Sequence, residues 1–405
     1  MKTNIKFTPK FYRKILGNGM TILFEKRNTP VVSVAFAVRC GGANESLSEK
    51  GISHFVEHML YKGTLSRSAK RVAEEIEKKG GELNGFTSES LTAYYCKIPS
   101  KHIDVALNIL SDMVKNPLFN EKEIEKERNV IFEEIKMCQD NPLRYVFEEI
   151  HRSLYKKPFG IPLIGTPKIL SSLTREKIIK RFRQIYQPNN MILCVVGNTD
   201  FNRIVEFAKK NFGNTKGNIP KFKIVKKNES RTEKRKGIDQ ANIVLAYHIP
   251  TSKEKRNYAA FVLNILMTGG ISSRLFQEIR EKRNLAYAIK GESDISRDFA
   301  YNLIYVGAKK ENVETVKKII LEEFKKISEE LEKKELSQVK EQIIGNHQIS
   351  IEDSQNQMMN LLLYEINSNA KELYEFEKNI RAVKLDDVKN LAKVKKHSFF
   401  ALVPE

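Results

Sequence analysis

The sequence predicts an α+β protein built from two related domains of roughly 200 residues each. Three observations carry that expectation. The chain is 405 residues long and 41% hydrophobic, enough for more than one domain-sized core. A stretch from Gly213 to Lys236, rich in Gly, Asn, Lys and Pro with little apolar periodicity, reads as a linker. The flanking segments, 1–212 and 237–405, repeat an order of elements. Strand-like Val31–Val38 precedes a helix in the first half, and strand-like Ala241–His248 precedes a helix at Tyr258–Met267 in the second. Each half closes on a helix and then a strand: Arg175–Tyr186 with Met191–Gly197, and Asp386–Lys393 with Phe399–Pro404.

Composition narrows the class. No apolar run is long enough for a membrane span, and Met1–Lys14 is basic but lacks the apolar core of a signal peptide before strand-like Met20–Phe24. A cytoplasmic protein with no membrane partner is expected, a mitochondrial transit peptide being a minor alternative. Cys40, Cys96, Cys138 and Cys194 form no C-x-x-C and suit a reducing compartment, with Cys96 and Cys194 as small core residues in strand-like runs. The net charge of +20 raises nucleic-acid binding, but the basic residues interleave with Glu, as in Arg280–Arg283 and Glu329–Glu335. No nucleic-acid partner is expected. His102, His151, His248, His347 and His397 have no partner motif and read as ordinary polar or capping residues.

The first helix carries the chemistry. His54-Phe55-Val56-Glu57-His58 holds two imidazoles and a carboxylate in five residues. At about 100° per residue, Glu57 falls near −60° and His58 near +40° from His54, so all three leave one helical sector. Two imidazoles at i and i+4 form half of a tetrahedral zinc site, and a carboxylate beside them can act as a base. The order H-x-x-E-H is the inverted zinc-peptidase signature. A shuffled chain with 7 His and 50 acidic residues shows it with a frequency of about 0.015.

A third ligand should be an acid on another helix, and Asn120–Met137 is the acidic helical segment available. Asn120 and Glu123 make a capping-box-like start, and Ile124, Ile131 and Ile135 define its core stripe. Glu127 and Glu134 are seven apart and share a face, whereas Glu133 is rotated by about 100°. Helical phase therefore prefers the Glu127/Glu134 pair. The competing reading is a solvated face balanced by Lys122, Lys126 and Arg128.

Along most of its length the chain resembles the pitrilysin, insulysin and mitochondrial-processing-peptidase family. The likeness rests on Gly51–Thr64, on Leu83–Ser88 and on Glu127–Ile135. It implies a duplicated pair of α/β-sandwich-like domains, each an antiparallel-rich sheet packed by helices. It implies one zinc ion per chain held by His54, His58 and Glu134, the last lying 76 positions after the second histidine as in the family. Glu57 would be the general base and Glu127 would orient the ligands. The first domain would then be catalytic, hydrolysing unfolded peptides.

The resemblance also implies substrate groups. Glu82–Ser88 alternates like a strand after Gly80-Gly81 and corresponds to the edge strand that pairs with substrate, with Asn84, Gly85 and Phe86 at the peptide. The plainer reading is a connection in which Gly85 relieves crowding. In the second half, Arg280 and Tyr287 match an R-x6-Y pattern that would grip substrate and donate to the oxyanion, with Arg283 as fallback. The plainer reading there is a charged surface helix ending near Asn284. Two-component relatives divide the zinc motif and the Arg/Tyr pair between subunits. This chain carries both, which implies a self-sufficient homo-oligomer, and the resemblance to relatives of this length, each half of the clamshell of the long members, implies a homodimer. The alternative is a non-catalytic or partner-dependent peptide-binding subunit of the same family.

Overall fold

The computed structural model describes residues 10–405; residues 1–9, part of the basic N-terminal segment discussed above, lie outside the described residues. Eleven strands occur among the described residues. The first six are β1 (Lys10–Ile15), β2 (Thr21–Lys26), β3 (Val31–Val38), β4 (Glu82–Thr87), β5 (Thr92–Pro99) and β6 (Met191–Gly197). They form one sheet in the order β1-β2-β6-β3-β5-β4. The others are β7 (Ser230–Arg235), β8 (Ala241–His248), β9 (Ala286–Ile295), β10 (Ala300–Ala308) and β11 (Ser398–Pro404), in the order β7-β11-β8-β10-β9. Every neighbouring pair is antiparallel except β2 with β6 and β7 with β11. The expected pair of antiparallel-rich sheets packed by helices is therefore the observed architecture.

The duplication extends to the order of elements. In the first half, β3 leads to the helices Ile52–Leu60 and Ala69–Glu77, then the hairpin β4–β5, then the helix Ile103–Lys115. In the second, β8 leads to the helix Asn257–Thr268 and a π-helical turn at Phe276–Glu281, then the hairpin β9–β10, then the helix Val313–Glu330. Central strands β3, β6 and β8 are almost wholly buried, which is why they read as continuous apolar runs rather than alternating ones. The segment read as a linker is irregular to residue 229, but its end forms β7. Parallel pairing with β11 is a long-range event that Ser230–Arg235, polar throughout, does not advertise.

Two compact units result, and they are interleaved along the chain where consecutive stretches were expected. Of the described residues, the first comprises 10–132, Leu163–Phe222 and Ser350–Leu373; the second comprises Glu133–Pro162, Lys223–Ile349 and Tyr374–Glu405. In the first, the helix Ser354–Asn367, from the C-terminal half of the sequence, packs on β3 and β6. Its apolar face supplies Met358, Leu361 and Leu362, and buried polar groups fix its register. Ser354 Oγ meets Ser33 Oγ at 2.8 Å, Gln357 donates to Glu25 at 2.6 Å, and Glu365 receives Arg13 at 2.8 Å and Arg39 at 2.9 Å. In the second unit the helix Pro142–Leu154 packs on β8 and β11 through Val146, Ile150 and Leu154. Each of these helices has an apolar stripe at i, i+4 spacing that needs a sheet face, and the stripe does not say which sheet.

Cys96 and Cys194 are fully buried on strands, as expected, and none of the four cysteines is in a disulfide. Among the described residues no helix is long and apolar enough to cross a membrane.

Candidate metal centre

The helix Ile52–Leu60 is short and held firmly at its start. It starts at Gly51, whose φ of +96° belongs to the left-handed region that glycine enters without steric cost. Its first amides are capped from a distance: the Glu45 carboxylate accepts Gly51 N–H at 2.9 Å and Ser53 N–H at 2.7 Å. An acidic group there satisfies donors that no helical carbonyl reaches and complements the helix dipole. Burial pushes the Glu45 carboxyl up, against the pull of Lys50 and of these amides. Lys50 is itself fully buried, donating to Gly42 O at 2.9 Å, with Glu89 3.5 Å away.

Ile52, Ser53, Phe55, Val56, Met59 and Leu60 are buried, so His54, Glu57 and His58 are the residues of this helix left open. The structure thus bears out the single-sector geometry of the motif. The imidazoles of His54 and His58 stand 4.6 Å apart, edge to face.

The acidic helix runs unbroken from Glu121 to Asp140, so Glu127 and Glu134 ride on one rod although the division between units falls after Phe132. Asn120 caps it, accepting Lys122 N–H at 2.9 Å, while Glu123 pairs with Lys126. Ile124, Ile131 and Ile135 are its buried stripe. Arg128 joins Glu125, donates to the carbonyls of Leu170 and Leu173, and lies over the Phe55 ring at 5.3 Å. Glu133 points to solvent beside Lys136. Glu134 turns inward, and its carboxylate joins His54 and His58 in a group whose donor atoms all lie within 4.8 Å of one another. Among the described residues this is the one such His/Cys/Asp/Glu group.

Glu127 sits one heptad earlier, buried, and accepts from His58 Nδ1 at 3.0 Å. With Nδ1 so engaged, Nε2 of His58 is the nitrogen with a lone pair for a metal, and the ring orientation is set. Lys62 reaches the other oxygen of Glu127 at 2.6 Å. Burial raises the Glu127 carboxyl, but the bonds from His58 and Lys62 outweigh it and hold the group below the ordinary carboxylate range. Lys62 lies just past the C-cap of this helix, outside any helical periodicity, so the sequence pattern does not single it out. Glu45 was missed as well, because it sits in a loop with no periodicity to read.

The segment read as a substrate strand is an edge: β4 pairs with β5 alone. Asn84 is exposed on it. At Gly85 a Cβ would stand 2.3 Å from the Tyr61 hydroxyl and 2.9 Å from Ala93 O, so both the crowding and the edge readings apply to the same residue. The Phe86 ring meets Tyr95 edge-on at 6.4 Å. Thr87, the last residue of β4, donates to Glu57 Oε2 at 2.6 Å.

Arg280 and Tyr287 belong to the second unit. Arg280 is exposed at the π-helical turn with its guanidinium 4.8 Å over the Phe276 ring, and Tyr287 is 57% exposed on edge strand β9. Arg283, the fallback, is tied to Glu278. Asn284, where the helical segment was expected to end, has φ of +51°.

Two imidazole nitrogens and one carboxylate oxygen are the donor types of a catalytic zinc site with an open position, whose bonds run about 2.0–2.2 Å. The three donor atoms already lie within 4.8 Å of one another, and the Glu127 support of His58 is the kind of outer bond such a ligand uses. The residues fit the metal.

Comparison with known proteins decides the family. The model of "Insulinase (Peptidase family M16)" matches residues 21–167, and that of "Peptidase M16 inactive domain" matches residues 172–343. The chain belongs to peptidase family M16. A Rickettsia felis protein named as an uncharacterized zinc protease is 36% identical over 335 residues, covering 82% of this chain and 81% of its own. One from Bacillus subtilis with the same description is 33% identical over 389 residues, 93% of each. The crystal structure of a Helicobacter pylori protease shares the fold with a TM-score of 0.90 at 23% identity, covering 98% of this chain and all of that one.

Proposed function

We propose that this M16 member is a zinc-dependent endopeptidase acting on unfolded peptides. The observation that carries the reading is the convergence of His54, His58 and Glu134 beside Glu57, on a helix packed against an open sheet edge. His54, His58 and Glu134 would hold one zinc ion per chain, which supplies Lewis acidity for attack on a peptide carbonyl. The zinc-protease names of the relatives support the metal's identity.

In this reading an extended peptide adds to β4 through main-chain hydrogen bonds, with Asn84, Gly85 and Phe86 along it. Glu57 takes a proton from the attacking water and returns it to the leaving amine. Glu127 keeps the His58 ring turned for ligation, and Lys62 keeps Glu127 ionised. Arg280 and Tyr287 are proposed to bind substrate, the phenol as a donor to developing negative charge. Carrying both the metal motif and this pair, the chain is proposed to work as a homodimer. Its free, mostly buried cysteines suit the cytoplasm.

The test compares wild type with Glu57→Gln for zinc content and for cleavage of a mixed unfolded-peptide library. The expected result is about one zinc in both proteins and a rate for Glu57→Gln lower by about 10²–10⁴-fold, the ordinary share of acid–base catalysis. Zinc in both with cleavage in neither would favour the peptide-binding alternative.

A further inference from the structure

We infer that Thr87 is the positioning residue of Glu57, its hydroxyl holding one oxygen of the base so that the carboxylate keeps a single orientation. This rests on the peptidase reading above and deepens it.

The bond joins two elements that one loop fixes in place. On the strand side, Thr87 leads into a turn in which Ser88 N–H donates to Leu91 O at 2.7 Å and Ser88 Oγ accepts Leu91 N–H at 3.1 Å. That turn is held by residues 41–43: Gly42 N–H donates to Ser88 O at 3.1 Å and Ala43 N–H to Glu89 O at 2.8 Å. The approach is so close that a Cβ on Gly41 would stand 2.0 Å from Ser88 O. Two residues further on, the same loop supplies Glu45, which caps the helix that carries Glu57. Donor and acceptor of the Thr87–Glu57 bond are thus referred to one anchor, residues 41–45.

A second contact keeps strand and helix in register. Tyr61, at the C-terminal end of the metal helix, places its hydroxyl against Gly85, where no side chain fits. A carboxylate that must take and return a proton works best when its plane is set before substrate arrives. A charge-assisted bond of 2.6 Å to Oε2 does this. The donor sits on β4, the strand proposed to receive the peptide, so substrate backbone and base share one frame. The ligand class is an extended main chain, independent of its side chains.

The test uses the zinc-loaded full chain as wild type, Thr87→Val, Thr87→Ser and Glu57→Gln, with an unfolded fluorogenic peptide. Val keeps the shape and removes the donor; Ser restores it. Zinc content and melting temperature should match wild type in both Thr87 variants. For Thr87→Val, kcat should fall about tenfold or more with KM within about twofold, and Thr87→Ser should recover kcat to within about threefold. Wild-type kcat in Thr87→Val, a change confined to KM, or a Ser variant as slow as Val would each overturn the inference. If Thr87→Val does not fold, Thr87→Ala, which also removes the donor, replaces it with the same expectations. Zinc-loaded wild type that cleaves nothing would sink the peptidase reading and this inference with it. Cleavage by wild type, its loss in Glu57→Gln and no effect at Thr87 would sink the inference alone.

Discussion

Set side by side, the two units are one topology with two chemistries. Leaving out β1, the first sheet runs β2-β6-β3-β5-β4 and the second β7-β11-β8-β10-β9, each with one parallel pair at the same place in the order. In both, the helix after the central strand packs against an edge strand through a hydrogen bond between side chains. In the first unit the bond is Thr87 to Glu57; in the second it is Asn264 to Ser293 at 3.0 Å. The helix Ile52–Leu60 leaves a polar sector open, whereas Asn257–Thr268 buries Ala259, Ala260, Val262, Leu263, Leu266 and Met267, with Asn264 only 1% exposed. The fold supplies a slot between helix and edge strand. The residues placed there differ: a His/Glu cluster in the first and an apolar face in the second.

Three perturbations sharpen that contrast. The largest effect is expected at the bond that supports His58. Glu127→Gln leaves the shape but removes the charge that orients His58 and pairs with Lys62. Zinc affinity should fall about 10–100-fold, read by competition with a chelator. Unchanged affinity would make Glu127 a packing residue like its neighbours. Next is Tyr287→Phe on edge strand β9: kcat on peptides should drop about tenfold with zinc content intact. Equal rates would remove Tyr287 from the chemistry.

The last effect is on stability rather than on rate or affinity, and belongs to the second unit. Burial pushes the Asp294 carboxyl up to about 6 from 3.8, Ser296 and Tyr301 opposing and Glu292 reinforcing it. An acid with a raised folded pKa contributes stability that is fully present below its unfolded value of 3.8 and lost as pH rises through about 6. Asp294→Asn should therefore raise the melting temperature at pH 8 relative to wild type and lose that advantage near pH 4. At about 1.4 kcal/mol per pKa unit the gain is at most on the order of 3 kcal/mol. A variant equally displaced at both pH values would remove ionisation as the cause.

Much of the site was legible because it is local. His54, Glu57 and His58 sit within five residues, and a 3.6-residue turn leaves them no way to diverge; the same periodicity separated Glu134 from the solvent-facing Glu133. Central strands announced themselves as apolar runs, Val31–Val38 and Ala241–His248 matching the observed bounds of β3 and β8. Less legible was whatever depends on contacts distant in sequence. The final residues of the supposed linker form a strand only because β11 lies beside them.

By itself, then, the sequence determined the helical faces of the His/Glu motif and of the Glu127/Glu134 pair, the repeated order of strands and helices, and the strand character of Glu82–Thr87, all of which follow from periodicity and turn chemistry within short windows; the edge position of that strand was implied only by the family resemblance. Tertiary structure alone decided the exchange of the helices Pro142–Leu154 and Ser354–Asn367 between sheets, the capping of the metal helix by Glu45, and the Thr87–Glu57 bond. An apolar stripe or a lone hydroxyl states what a residue needs; which partner meets the need is settled only when distant segments compete to bury the same surface.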